Sequence, residues 1–310
     1  MSAVGAQRRA RRALRALVCV TAAACGGDAT DPPPPPPQPP APPAFVFVAD
    51  SAGRSQLFRY RDDMVVRLTS DSANDADPRA AAGRVVFTSD RDGDAEVYLA
   101  DEAFTVQRRV TNSRGTDGEP ALDPSGRTIV FTSNRSGTPR LWVVSAPALA
   151  DSGAVVPAPA PLATGSDAWV PERAPAWSPD GTRIAFTSTR TGTSQVFVVG
   201  AGGGAAAQLS HEPAGAFQPA WSGDGSAVVY VAAGGAPRVR RAALAGGAAA
   251  DYAADPLGMG EPSCDRTRCL AVVDPLGARD GIVVLSWSDG AVRAPVATPP
   301  GARQPAVLVP

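Results

Sequence analysis

A unit of about forty residues recurs six times along this 310-residue chain and constrains its fold more than any other feature. Three copies are nearly identical: VVFTSDRDG from Val85, IVFTSNRSG from Ile129 and IAFTSTRTG from Ile184, with looser copies from Phe45, Val228 and Leu270. An x-Pro element precedes most copies, and its prolines are Pro78, Pro120, Pro175, Pro219, Pro262 and Pro305. Short alternating strands repeated at this period are typical of the blades of a β-propeller.

The two ends of the repeat series complete each other. The first strand, Phe45–Ala49, has no x-Pro element before it, and Gln304–Pro310 is an x-Pro strand with no blade after it. Pairing the C-terminal strand with the N-terminal strands would close the ring and leave no open sheet edge. The sequence therefore predicts an all-β, six-bladed propeller of four-stranded antiparallel blades.

The repeat that begins at Pro175 shows the strand pattern of a single blade most clearly. Pro175–Ser178 is predicted as the innermost strand, and Ser178-Pro179-Asp180-Gly181 has the composition of a type I turn. Alternation from Ile184 to Ser188 predicts the second strand, Gln195–Val199 the third and Ala207–Ser210 the fourth. The third blade has an insertion rich in Ala and Pro, Ala146–Pro161, which is expected to form a surface loop.

The segment PAWSPDGTRIAFTSTRTGTSQVFVV resembles the TolB-type β-propeller repeat of bacterial periplasmic proteins. The match is strong in the blades that start at Pro120, Pro175 and Pro219, and it extends over most of residues 45–310. Because only 44 residues precede the first strand, we do not expect the α/β domain that stands before the propeller in TolB. The resemblance therefore implies the repeat superfamily and not the role of TolB itself.

The first 44 residues are predicted to direct export of the propeller and to tether it to a membrane. The propeller itself is predicted over residues 45–310. Five arginines and a short apolar stretch, Ala16–Ala24, precede Cys25, which is typical of an export signal over residues 1–24. Ala22-Ala23-Ala24-Cys25 resembles a lipobox, so Cys25 is expected to be lipidated; an ordinary secreted protein is the alternative. Residues 25–44 are rich in proline and are predicted to form an extended spacer, or else a linker without a dedicated task.

Composition excludes several classes of function. The part from Cys25 onward has a net charge of −6, which argues against nucleic acid as a partner. All 29 basic residues are arginine, so a Schiff-base lysine, a phosphate-loop lysine and a Ser-Lys pair are impossible. The single histidine, His211, is followed by Glu212 and Pro213 and is predicted to be a loop residue, not part of a zinc site. No metal and no cofactor are expected.

The remaining cysteines, Cys264 and Cys269, flank the predicted turn after the sixth x-Pro strand. They should face each other across a hairpin, which favours a disulfide in an oxidising compartment. The recurring Arg91, Arg135 and Arg190 could form an anion-binding ring, but their repetition favours structural contacts with a hairpin of the neighbouring blade. Two aromatic residues on innermost strands are interpreted as packing between blades: Trp177 and Trp221.

One group of residues is a candidate binding site. The residue before each x-Pro proline should lie at the mouth of the central channel, and these residues are Asp77, Glu119, Ala174, Gln218, Glu261 and Gln304. Three carboxylates and two amides around a narrow channel could hold a cation or a basic or amide-rich peptide end. Solvated carboxylates without a ligand are the alternative interpretation.

These observations favour an exported, monomeric, lipid-anchored binding scaffold of the cell envelope, periplasmic or attached to the outer membrane, whose partner is an envelope protein or peptide. The main alternative is a lyase or hydrolase that acts on carbohydrate through the channel carboxylates. A purely structural envelope protein is the third possibility. An acid pair with one perturbed pKa in a closed pocket would favour the enzyme.

Overall fold

The computed structural model describes residues 42–70, 72–150, 155–253, 259–265, 268–273, 281–286, 292–296, 298–299 and 302–308. Within these ranges all helix and strand structure is β, in 24 strands that form six four-stranded antiparallel sheets. The innermost strands of successive sheets contact one another around a closed ring. The prediction of a six-bladed, all-β propeller is therefore confirmed.

Five blades are continuous in sequence and run from the innermost to the outermost strand. Blade 2 comprises β4 (Asp75–Ala81), β5 (Arg84–Ser89), β6 (Glu96–Asp101) and β7 (Gln107–Arg109). Blade 3 comprises β8 (Asp117–Leu122), β9 (Thr128–Ser133), β10 (Arg140–Ser145) and β11 (Ala160–Pro161). Blade 4 comprises β12 (Glu172–Trp177), β13 (Arg183–Thr191), β14 (Thr193–Gly200) and β15 (Ala207–Gln208). Blade 5 comprises β16 (Ala216–Trp221), β17 (Ala227–Ala232), β18 (Arg238–Ala243) and β19 (Ala250–Ala253). Blade 6 comprises β20 (Met259–Cys264), β21 (Arg268–Val273), β22 (Gly281–Ser286) and β23 (Val292–Pro295).

Blade 1 joins the two ends of the propeller. It consists of β1 (Phe45–Ser51), β2 (Arg54–Arg61), β3 (Met64–Arg67) and the C-terminal β24 (Arg303–Val307), which is the innermost strand. Phe45 pairs with Val307 and Val46 with Ala306, and the Leu308 N–H donates to the Ala44 carbonyl at 2.9 Å. The predicted closure by the C-terminal strand is confirmed.

The hydrophobic core is divided into six clusters, each between two neighbouring blades. Successive side chains of a strand point to opposite faces, so Phe45 and Phe47 pack against blade 6 while Val46 and Val48 pack against blade 2. Both faces of the second strand are buried in this way. The nearly continuous apolar run of the VVFTS-type segments follows from this arrangement.

Each innermost strand contains a β-bulge at its x-Pro element, where the register with the second strand shifts. The residue before the proline has φ between 49° and 52° in all six blades, in the left-handed region that non-glycine residues seldom occupy. Proline suits the bulge because it has no N–H to contribute to the ladder. Pairing continues on both sides of the bulge, so β12 begins at Glu172, three residues before the predicted start.

Other local predictions agree with the structure within a few residues. The turn at Ser178–Gly181 is closed by a 2.9 Å bond from the Gly181 N–H to the Ser178 carbonyl, and Gly181 has φ 69°. The insertion of blade 3 follows β10 as expected, but its last two residues, Ala160–Pro161, form β11 and are not part of the loop; residues 151–154 are outside the described part of the chain.

Candidate functional site

The six residues that precede the strand prolines form a ring around the central channel. The Gln304 Oε1 accepts the Asp77 N–H at 2.9 Å, and the Asp77 carboxylate accepts the Glu119 N–H. The Glu119 Oε2 in turn accepts the Ala174 N–H at 2.9 Å. Each contact runs from a side chain in one blade to the bulge N–H of the next. The bulges thus expose backbone N–H groups to the channel, and side-chain oxygens of the preceding blade accept hydrogen bonds from them.

The same pattern continues on the far side of the ring. The Gln218 Oε1 accepts the Glu261 N–H at 3.1 Å, and the Glu261 Oε2 accepts the Gln304 N–H at 2.6 Å. The sixth seam differs, because Ala174 has no side-chain oxygen to offer to the Gln218 N–H. Five of the six seams therefore carry the bond, and the seam between blades 4 and 5 lacks it.

The predicted site residues are thus brought together, at bulges inside the innermost strands and not on loops. Burial, and after it the charge of Glu119, raises the pKa of Asp77 above its usual range. Burial also raises the pKa of Glu261. Both residues are half-buried, so the loss of hydration comes from the protein atoms packed around the two carboxyl groups. The carboxyl groups of Asp77 and Glu261 thus lie where water solvates their ionised forms poorly.

A polar cavity of about 240 Å³ opens at the end of the channel where the innermost strands begin. Asp77 and Glu119 line it together with Arg173, and the hydroxyls of Thr88 and Thr132 donate to the two carboxylates at 3.2 and 2.7 Å. These donors hold the carboxylates in fixed orientations. The cavity can accept a small cationic or hydrogen-bonding group beside two oriented acids.

A second cavity of about 310 Å³ occupies the other end of the channel, where the innermost strands finish. Trp177 and Trp221 line it with several prolines and alanines, and Arg79 contributes a charged group. The two indole N–H groups donate to carbonyls of the preceding blade, at 3.2 Å to Ala121 and 3.0 Å to Ala176. The tryptophans therefore join neighbouring blades, as the sequence predicted, and also form the wall of this cavity.

The recurring arginines are structural as expected, and the contacts they share lie within their own blade; Arg190 also donates to the Thr164 carbonyl, in the segment that follows blade 3, at 2.9 Å. The Arg135 guanidinium lies 5.4 Å from the Phe131 ring and 4.8 Å from the Trp142 ring, donates to Ser133 Oγ at 2.9 Å and pairs with Asp117 at 2.6 Å. Arg91 and Arg190 repeat these contacts with Asp75 and Glu172.

The buried acids that pair with these arginines are the residues that sequence reasoning missed. Asp75, Asp117 and Glu172 are fully buried and lie three residues before a strand proline. A signal existed in the sequence, because only the three units with Ser-x-Arg carry an acid at that position. The pairing of the acid with the arginine could have been predicted from this coincidence.

The predicted disulfide is present: Cys264 and Cys269 are bonded and directly opposite in the β20–β21 register. His211 lies in an exposed loop, as predicted. In the described part of the chain, no group of three His, Cys, Asp or Glu side chains could hold a metal ion. No helix there is long and apolar enough to cross a membrane. Cys25, the signal segment and residues 25–41 of the spacer lie outside the described residues.

Comparisons with known proteins agree with this architecture. Residues 166–263 match the family model "TolB beta propeller domain". The "Tol-Pal system protein TolB" of Anaeromyxobacter dehalogenans strain 2CP-1 is 33% identical over 168 residues, which is 54% of this chain and 35% of that protein. The "Protein TolB homolog" of Chlorobaculum tepidum is 27% identical over 176 residues, 50% of this chain and 35% of that protein. The matched segments thus span about a third of the length of these curated relatives.

Solved structures show the same fold at low identity. The crystal structure of TolB from Acinetobacter baumannii superposes with a TM-score of 0.71 and 20% identity, over 85% of this chain and 66% of that one. A puromycin-hydrolyzing peptidase of Mycobacterium tuberculosis has a TM-score of 0.56 and 15% identity, over 80% of this chain and 43% of that one. At such identities the likeness concerns the fold alone.

Proposed function

We propose that this chain, a propeller that resembles the TolB-type repeat proteins, is an exported, lipid-anchored scaffold of the cell envelope. We propose further that it recognises a protein or peptide partner through the carboxylates of its channel ring. The names of its relatives, Tol-Pal system proteins, are consistent with an envelope role.

The observation that carries the proposal is that the ring has more charge than its hydrogen bonds require. Gln218 and Gln304 accept the bulge N–H of the next blade with an uncharged amide oxygen. Glu119 and Glu261 make the same bond with Oε2 of a carboxylate. Since glutamine is sufficient at two positions, the negative charge at the others needs a separate reason.

That charge is unfavourable in the free protein. Burial raises the pKa of Asp77 and Glu261, which means that their ionised forms are disfavoured where they stand. A cation, or the basic or amide-rich end of a peptide, would offset this cost on binding. Asp77 and Glu119 line the open polar cavity, which gives such a group a route into the ring.

The proposed location rests on the N-terminal sequence. The basic start, the apolar Ala16–Ala24 and Cys25 fit export and lipidation, and the proline-rich spacer up to residue 44 would hold the propeller away from the membrane. Metabolic labelling with a radioactive fatty acid tests this part. Label in the wild type and none in Cys25→Ser is the expected result.

Calorimetric titration with a tetra-arginine peptide tests recognition by the ring. The triple variant Asp77→Asn, Glu119→Gln, Glu261→Gln keeps an acceptor oxygen at each position and removes three charges. Affinity should fall by about 1 kcal/mol for each lost charged contact. A matched control removes three charges outside the channel, by Asp62→Asn, Glu102→Gln and Asp167→Asn.

Equal affinity of the wild type and the triple variant would contradict recognition by the ring. Equal loss in the triple variant and in the control would reduce the effect to overall charge. No binding of either protein, with unchanged thermal stability, would favour a purely structural envelope protein.

An enzyme is the second candidate, because Asp77 has a raised pKa beside Glu119 in the polar cavity. Such a pair could act as general acid and base in carbohydrate cleavage. The open mouth of the cavity favours binding over catalysis. Product release from a panel of oligosaccharides, abolished by Asp77→Asn, would establish the enzyme instead.

A further inference from the structure

The outermost strand of blade 1 differs from the corresponding strand of blade 2. Both strands are followed by the same structural elements: Arg67 and Arg109 donate to the carbonyls of Thr69 and Thr111 at 2.6 and 2.7 Å. The hydroxyls of these threonines accept the N–H groups of Leu57 and Val97. The two strands can therefore be aligned residue by residue.

The alignment places apolar residues where blade 2 is polar. Val65 and Val66 occupy the positions of Gln107 and Arg108. Met64, Val65 and Val66 are 63%, 37% and 43% exposed. At the position of Met64 blade 2 also has an exposed apolar residue, Val106, which is 39% exposed. Blade 2 forms the same strand with polar side chains at the other two positions, so the fold of the blade does not require valines there.

The strand is also an open sheet edge. The expectation that closure leaves no open edge is wrong for the outer rim, because closure pairs only the innermost strands and each sheet still ends in an outermost strand. Among the described strands β3 pairs only with β2, through four consecutive residues from Met64 to Arg67. Its outer backbone groups are thus available to another strand, and an exposed apolar edge strand readily pairs with one. The other five outermost strands are less suited: β11 and β15 have two residues each, β7 is charged, β23 ends in a proline, and β19 carries Asp251, which is paired with Arg238 and Arg240 of its own blade.

We propose that β3 is a self-association edge, at which two copies of this chain pair antiparallel to form a two-fold symmetric dimer. The charges around the valines favour a second copy as the occupant. With Val65 on the symmetry axis, Met64 lies opposite Val66 of the second copy, and Asp63 lies opposite its Arg67. The same pairing repeats on the other side of the axis, as an isologous contact requires.

The dimer joins two blades by their outer edges and leaves both channels free. A contact of one strand per copy is smaller than a standard interface of about 1,600 Å². We therefore expect a reversible dimer with a dissociation constant in the micromolar range. The sequence predicts a monomer, and that prediction and the proposed dimer are alternatives that a measurement of association separates.

Sedimentation equilibrium of the full chain over a range of concentrations measures the association. Val65→Gln with Val66→Arg gives β3 the residues that blade 2 carries, and should weaken dimerisation at least about tenfold while the melting temperature stays the same. The control Gln107→Ala with Arg108→Ala changes the equivalent strand of blade 2 and should leave association unchanged.

Cysteine crosslinking tests the register. Val65→Cys should form a disulfide-linked dimer under mild oxidation, because residue 65 meets its own copy on the axis. Met64→Cys and Val66→Cys should crosslink when mixed with each other and poorly alone, and the wild type with its native cysteines sets the background.

Three results would overturn the proposal. One is a wild-type protein that stays monomeric at millimolar concentration. Another is a dimer that survives Val65→Gln with Val66→Arg. The third is crosslinking of Val65→Cys in intact cells to a different protein and not to a second copy.

Discussion

Blades 2, 3 and 4 bury a carboxylate three residues before the strand proline, whereas blades 5, 6 and 1 bury an apolar side chain at the same position. The acids are Asp75, Asp117 and Glu172, and the apolar residues are Ala216, Met259 and Ala302. Each acid is paired with an arginine that lies against two aromatic rings of its blade. Each apolar residue belongs instead to a hydrophobic cluster between blades.

The two halves of the ring thus stabilise the same blade in different ways. In the ionic half, burying a carboxylate is unfavourable, and the paired arginine offsets this free energy. A buried carboxylate is therefore tolerated only with its partner in place. The apolar half has hydrophobic packing at this position, with the Cys264–Cys269 disulfide and the closing strand β24 as additional constraints, although blade 5 buries one ion pair elsewhere, between Glu212 and Arg240. The blade geometry therefore depends on the bulge and the alternation of the strands, which both halves share, and not on the ion pairs.

The largest expected effect is on the apolar half, where the ring closes. Deleting Gln304–Pro310 removes most of β24 and opens the edge of β1 and the faces of blades 2 and 6 that it covers. We expect a loss of at least about 4 kcal/mol of unfolding free energy, or aggregation, measured by thermal denaturation and light scattering. A control that lacks only residues 309–310 keeps the described contacts of β24. If the protein without Gln304–Pro310 melted at the wild-type temperature, closure by this strand would be contradicted.

The ionic half is tested by Arg135→Ala. The variant leaves the fully buried Asp117 without its cationic partner, and we expect a loss of about 3–5 kcal/mol in urea denaturation. The combination Asp117→Ala, Ser133→Ala, Arg135→Gly gives blade 3 the residues Ala216, Ala232 and Gly234 of blade 5. This triple variant should be more stable than the single one. The opposite ranking would show that the two halves are not interchangeable.

The channel ring runs through both halves of the propeller. The pH dependence of stability tests the ring separately from the ion pairs and from the apolar packing. The pKa of Glu261 is raised in the folded protein, so the folded state binds more protons than the unfolded state above the usual carboxyl pKa of about 4. The stability contributed by the protonated form is present below that pH and is lost as the pH rises through the folded pKa. Glu261→Gln should therefore be relatively more stable than the wild type toward neutral pH and lose this advantage in acid. A difference independent of pH would mean that Glu261 is not buried as a charge.

Comparing the wild type with the variant at each pH is necessary because other carboxyls oppose the trend. Hydrogen bonds in the turns lower the pKa of Asp180 and Asp224 to about 2, and these groups lose their stabilisation as the pH falls. Their contributions are the same in both proteins and cancel in the difference.

The repeat predicted more of the fold than of the site. Blade number, closure and the disulfide follow from spacing, because a period near forty and a split blade fit one architecture. The bulge at each x-Pro element was not predicted, since a residue before proline with positive φ has no marker in composition: Asp, Glu, Ala and Gln all occupy it. The inter-blade bonds of the ring depend on that bulge. Without it, Asp77 and Glu119 could only be placed near the channel mouth as a hypothesis.

The smallest expected effect lies at the boundary between the halves, where Ala174 interrupts the ring between blades 4 and 5. Ala174→Gln places an amide oxygen where Gln218 and Gln304 have theirs, so that it can accept the Gln218 N–H. One added hydrogen bond should stabilise the protein by about 1 kcal/mol. Ala174→Met has a side chain of similar length without an acceptor and is the matched control, since it shares the backbone strain at φ 51°. Equal stability of the two variants would mean that the ring bonds follow from the bulge geometry and contribute nothing of their own. A gain confined to Ala174→Gln would show that the five ring bonds found elsewhere each stabilise the joint between two blades, in addition to contacts such as the Trp221–Ala176 hydrogen bond of the sixth seam.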